Sequence, residues 1–228
     1  MNNENMIIDS MGYIQNRTNW CWAVACKILG EQYKRQYSEF IFSIDKINNK
    51  MGDVTEEEYK RGVVTKELDG LRMEHIRLEN GRCFIDAWQR AIVMNANSTN
   101  RGVDGNFPGD DTAKLRGLRY MVTGDCESRL MDVVNIGTFD SENSLIHDYY
   151  EYIMSAFEEK HYLIGNAVLY PRRVCHSFVL LAWLPEDRIT IYDPWDGRIK
   201  NYPVEMVFYK GFTSILGHGV IKWVQYIR

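Results

Sequence analysis

The sequence predicts an α+β protein, with helices in its first half and an antiparallel sheet in its second. Three observations carry this. The stretch "CWAVACKILGEQYKRQY" repeats apolar residues at helical spacing; "SENSLIHDYYEYIMSAFEEK" does so again from residue 141; and after 161 the pattern changes to short apolar runs. Helical patterns first and strand patterns later are the mark of an α+β layout.

The elements follow in chain order. Trp22, Ala25, Cys26 and Leu29 form one stripe, with Lys27, Glu31 and Gln32 away from it, so an amphipathic helix begins near Asn19 or Cys21. Two more helices are expected within 55–72 and 83–95, with "ENGRC" as the break between them. The stretch "NANSTNRGVDGNFPGDD" (95–111) has few apolar residues and reads as a long loop. A short helix is expected at 112–121 and a strand within 129–139. Ser141 and Asn143 are good capping residues for the next helix, which places Leu145, Tyr149, Ile153 and Phe157 at intervals of four. Apolar runs at 162–170, 175–184, 188–193 and 218–227, separated by "PRR", "PED" and "PWDGR", predict a largely antiparallel sheet. With 228 residues, 45% hydrophobic and 25% charged, the chain can bury a sizeable core. It reads as one domain over 1–228, its helical half about 15–125 and its sheet half about 126–228.

Composition narrows the function. Lys and Arg number 27 against 31 Asp and Glu, a net charge of -4, and no basic run suggests a nucleic-acid partner. The N-terminal stretch has neither a basic segment nor a long apolar one, and no stretch approaches the roughly 20 apolar residues that span a bilayer. Membrane insertion and Sec-type secretion are disfavoured, and a cytoplasmic protein, or one exported by a non-Sec route, is expected. Five cysteines, at 21, 26, 83, 126 and 175, are odd in number with no CxxC pair, which suits a reducing compartment rather than a disulfide framework or a zinc site. None of the five histidines pairs with another at i,i+4 spacing, so no metal ligand set and no cofactor is expected.

One constellation carries chemistry. Cys21 falls at the start of the first helix, where unpaired backbone N–H groups and the helix dipole stabilise a thiolate. Cys26, five residues on and on the apolar stripe, reads as a core residue. A nucleophilic cysteine needs a base, and the base needs a group to orient it. In "VCHSFVLLAWLPEDRITIYDPWDG", His176 shares a strand face with Phe178, Leu180 and Ala182, and Asp193 ends the next strand. If "PED" makes the two strands antiparallel, His176 comes beside Asp193. The side-chain amide of Gln15 and the Cys21 backbone N–H then suit an oxyanion hole. Cys175 alternates to the face opposite His176 and reads as structural, and Asp196 as the turn former of "DPWDG".

At these residues the chain resembles the papain-like cysteine peptidases. That pattern has a glutamine six residues before the nucleophile and a distant histidine followed some sixteen or seventeen positions later by Asn or Asp; Gln15, Cys21, His176 and Asp193 match it. Family members also place a shielding tryptophan two residues after the orienting residue, where Trp195 stands. "TNWCWA" and "HSFVLLAW…ITIYDPWDG" look most like compact bacterial branches, the bacteriocin-processing double-glycine peptidases and the type III effector proteases of plant pathogens, which use Asp in the third position. The resemblance covers about 14–29 and 161–198, not 35–140. It implies a papain-like fold and a Cys-His-Asp endopeptidase acting on a protein or peptide, with Trp20 and Trp22 packing or lining the cleft. The same constellation serves acyl transfer or glutamine deamidation. A catalytically silent papain-like binding module is a third reading.

Overall fold

A computed structural model of the chain describes residues 13–15, 18–32, 64–68, 71–79, 82–84, 87–96, 108–129, 133–136, 146–159 and 161–227. The expected loop at 95–111 falls largely outside them, as do the capping residues Ser141 and Asn143 and the whole of 35–63.

The first helix, α1 (Cys21–Gln32), begins at the cysteine, as its sequence predicts. It differs in one respect: Trp20 to Gly30 are all buried, Lys27 included, so α1 is a central helix and not a half-exposed amphipathic one. Lys27 accommodates this by placing its ammonium over the Tyr13 ring, 4.5 Å from the centroid.

The expectation of a helix within 55–72 is overturned where that range is described. Strands β1 (Val64–Leu68), β2 (Leu71–Glu79) and β3 (Arg82–Phe84) form a three-stranded antiparallel sheet. Leu68 pairs with Leu71 and Glu79 with Arg82, so the strands are joined by the two-residue stretches Asp69-Gly70 and Asn80-Gly81. Asp-Gly and Asn-Gly between alternating apolar and charged residues are strong hairpin signals. Treating "ENGRC" as a break between helices overlooked that chemistry. The helix expected at 83–95 starts later for the same reason, as α2 (Ala87–Ala96).

Helix α3 (Asp111–Thr123) has its first turn capped by Asp110, whose carboxylate accepts the Ala113 N–H at 2.7 Å, and ends on Gly124 in the left-handed region (φ 77°). Strand β4 (Val133–Ile136) follows, then α4 (Ile146–Glu158), which buries Ile153 and Ala156. The four expected strands are present as β5 (Leu163–Tyr170), β6 (Val174–Leu184), β7 (Arg188–Asp193) and, after three further elements, β10 (Gly217–Ile227). Those three are β8 (Arg198–Pro203), a π-helical turn at Met206–Lys210 and β9 (Phe212–Ser214). Polar "RIKNYP" carries no apolar alternation, which is why β8 escaped the sequence; it is an edge strand, mostly exposed.

All pairings in this seven-stranded sheet are antiparallel, in the order β4-β10-β5-β6-β7-β8 with β9 beside β10. Strand alternation divides its side chains between two cores. Ile164, Val179 and Tyr192 pack with α1, α2 and α3; Leu163, Phe178, Leu180 and Ile191 pack with Ile153 of α4 and with Val207 and Phe208 of the π-helical turn. Among the described residues, no helix is long and apolar enough to cross a membrane.

Two glycines let α1 and α3 approach closely. A Cβ on Gly30 would lie 2.4 Å from the Met121 Cβ, and one on Gly117 would meet the Cys26 Sγ at 3.0 Å. Each glycine costs about 1 kcal/mol of helix propensity relative to alanine. Gly30→Ala should nevertheless destabilise the fold, because the clash is with a backbone-anchored Cβ and overpacking costs about 1–3 kcal/mol. We expect a lower urea midpoint at unchanged slope; a midpoint above wild type would mean that the two helices are not in this contact.

Candidate active site

The site is built where the N-terminus of α1 meets the start of β6. Cys21 is 6% exposed, and its Sγ accepts the Ser177 N–H at 3.4 Å. His176 is buried, with its Nε2 2.7 Å from the Asp193 Oδ1 and its ring edge-on to Phe178 at 4.5 Å between centroids. The other ring nitrogen, Nδ1, is left for the thiol, which hydrogen-bonds to the histidine. The antiparallel β6–β7 pair accounts for the juxtaposition. Val179 is opposite Tyr192, so the start of one strand runs beside the end of the other. Its turn, Pro185-Glu186-Asp187, holds Glu186 and Asp187 at positive φ.

Asp193 is held in place from three sides. Besides the imidazole, its Oδ1 accepts the Trp195 N–H at 2.9 Å, and its own carbonyl accepts the Gly197 N–H at 2.9 Å. Asp196 makes the local turn expected of it, accepting the Arg198 N–H. The chain leading to Cys21 is tied to the same turn: the Gln15 N–H donates to the Pro194 carbonyl at 2.8 Å, and the Tyr192 hydroxyl to the Tyr13 carbonyl at 2.5 Å.

Opposite pKa shifts follow from this packing. Burial alone would raise the Cys21 thiol, but the His176 charge, its hydrogen bond, the Ser177 N–H and the Lys114 ammonium together bring it below its usual range. Burial alone would lower His176; the Cys21 charge and the Asp193 hydrogen bond outweigh it and hold the imidazole up at about 9. Each group's charge supports the other's, which favours the thiolate–imidazolium pair.

The sequence-predicted residues divide. Cys21, His176 and Asp193 are brought together. Gln15 is buried nearby, its side-chain amide donating to the Thr18 carbonyl at 2.9 Å, and it is not among the residues lining the cleft beside Cys21. Trp20 is wholly in the core, Trp22 reaches both core and cleft, and half-buried Trp195 contributes its backbone N–H to Asp193. Cys26 is fully buried against the Lys114 carbonyl, and burial pushes its thiol far up. Cys175 requires a correction. Strand alternation sets it on the face opposite His176, but it is exposed and among the residues lining the cleft, not a packed structural residue, because alternation fixes a face and not what covers it.

Lys114, Asn166 and Trp223 line the cleft without having been singled out from the sequence. Asn166 accepts the Ser177 hydroxyl at 2.8 Å and donates to the Gln225 Oε1 at 3.4 Å, a buried polar chain behind the nucleophile. Single polar residues inside apolar strand runs offer no sequence signal beyond their polarity. Among the described residues, no group of three or more His, Cys, Asp or Glu is placed to hold a metal ion.

Thiolate character is directly measurable in a Cys175→Ser background, which removes the thiol exposed among the described residues, with labelling at Cys21 and Cys26 read by peptide mass. Iodoacetamide should label Cys21 at neutral pH while leaving Cys26 unlabelled until the protein unfolds. Asp193→Asn should lower the imidazole pKa from about 9, since the hydrogen bond survives without the negative charge; the pH at which the thiolate–imidazolium pair is lost then moves down. Equal labelling of Cys21 and Cys26 in the folded protein would contradict the arrangement.

Compared with known proteins, the chain matches no protein-family model and no curated protein.

Proposed function

We propose that this protein is a papain-like cysteine peptidase that hydrolyses a peptide bond in a protein or peptide substrate. The observation that carries the reading is the position of His176 between Cys21, the first residue of α1, and the Asp193 carboxylate. A buried thiol merely filling space, like Cys26, has no such partners.

Each residue takes a stated role. His176 holds the proton of Cys21, leaving a thiolate that attacks the scissile carbonyl carbon. Charge passes to the carbonyl oxygen, where the Cys21 backbone N–H at the helix start is one donor; Gln15 is assigned the second, its amide leaving the Thr18 carbonyl to reach it. The carbon–nitrogen bond breaks as His176 transfers its proton to the departing amine. Water, deprotonated by the now neutral His176, then attacks the thioester, releasing the acid and returning the proton to the pair. Asp193 keeps Nε2 engaged so that Nδ1 faces the sulfur throughout.

Digestion of a peptide library by wild type, Cys21→Ala, Cys26→Ala, His176→Ala and Gln15→Ala, read by mass spectrometry, tests this reading. Cys21→Ala should abolish new N-termini, and Cys26→Ala should preserve them apart from any loss of stability. Loss of the base should cost about 10²–10⁴-fold in rate, and loss of an oxyanion donor about 10²–10³-fold in kcat. Equal loss in the two cysteine variants would sink the assignment. Ammonia or a cross-linked product without new N-termini would transfer the site to deamidation or acyl transfer, and no product with any acceptor to a binding role.

A further inference from the structure

A lysine on the cleft wall takes part in no step of the reaction above, although its charge helps to lower the Cys21 thiol. Lys114 lies in the second turn of α3, its side chain only 5% exposed, and lines the same cleft as Cys21, Asn19 and His176. A buried ammonium is costly unless charges or dipoles surround it. Two neighbours hold this one. Its Nζ is 5.4 Å from the centre of the Trp223 ring, and 3.6 Å from the Oδ1 of Asp111, whose side chain is half exposed at the rim.

Neither contact satisfies it closely. A charge-assisted N–H···O bond runs to about 2.7–2.9 Å, and the same Asp111 oxygen already accepts the Trp223 indole N–H at 3.1 Å. An ammonium carries three donor hydrogens. Trp223 itself is placed by a register shift in the β10–β5 pairing between Ile221 and Trp223, directly opposite cleft residue Asn166. Bulges of this kind re-aim a side chain. The cleft offers about 30 Å³ of free volume, room for a water or a carboxylate group.

Resting on the peptidase reading, we propose that Lys114 is a specificity-determining residue that binds a carboxylate of the substrate beside the scissile bond. The shared chemistry is a carboxylate, supplied by an Asp or Glu side chain or by the C-terminus of the chain being cut. Trp223 and Asp111 position the ammonium; Asp111, at the rim, is the anion that the substrate carboxylate displaces.

Alkylation of Cys21 tests this independently of hydrolysis. Iodoacetate and iodoacetamide both lose iodide to the thiolate and form a C–S bond, but only iodoacetate brings a carboxylate. Their rate ratio in a Cys175→Ser background cancels any change in the thiolate fraction. Lys114→Met should lower the ratio about tenfold, as expected for losing one nearby charge of opposite sign, while Lys114→Arg retains most of it. Asp111→Asn, at an exposed position that tolerates the change, should raise the ratio, and it carries the test alone if Lys114→Met does not fold. A ratio unmoved by these substitutions overturns the proposal even if the enzyme cleaves peptides. A wild type that cleaves nothing but shows the expected ratios would refute the peptidase reading and leave the anion subsite standing. Where cleavage occurs, capped peptides with Asp or Glu against Gln, and free against amidated C-termini, distinguish the two sources of the carboxylate.

Discussion

Burial of α1 along its length is the constraint on which the rest of the molecule depends. A helix packed against a sheet on one side and two helices on the other cannot shift without opening both contacts, so its first residue is held where it stands. Ala23 and Val24 direct their N–H groups to the Trp20 carbonyl, and the thiol follows at the helix end. The fold thereby delivers a sulfur to one point on β6 within reach of the Ser177 N–H and of His176. Closeness is bought with glycine: Gly30 and Gly117 give up helix propensity so that α3, which brings Lys114, can come in.

Electrostatics then follows from burial. Neither Cys21 nor His176 would ionise alone at that depth, since desolvation opposes each. Together each favours the other's ionisation, because opposite charges in contact attract strongly where little water screens them. Asp193 biases the pair toward the imidazolium, and its own position is secured by the turn that ends β7. Lys114, on the wall of the same cleft, adds a second positive charge that favours the Cys21 thiolate.

Much of this was legible in advance, for identifiable reasons. Apolar runs placed β5, β6, β7 and β10 within a residue or so, because the central stretches of those strands are covered on both faces of the sheet. Spacing brought His176 near Asp193, since antiparallel strands joined by a short turn set the start of one beside the end of the other, even with the register shift between Leu180 and Ala182. Elsewhere local reasoning lost. Helices expected within 55–72 and 83–95 give way at 64–68, 71–72 and 83–84 to strands, whose Asp-Gly and Asn-Gly connections are hairpin signals. Cys175, expected to be structural on the face opposite His176, is exposed, because alternation says which way a side chain turns and not what covers it.

The sequence by itself determined the α+β class, the place of Cys21 at a helix start, and the nearness of His176 to Asp193, all of which depend on periodicity or short-range spacing. Only the tertiary structure decided that α1 is buried on every side, that Lys114 faces Cys21 from 93 positions downstream, and that Gln15 is tied to the Asp193 turn. Those outcomes depend on which surfaces end up covered, and coverage belongs to the packing of distant segments.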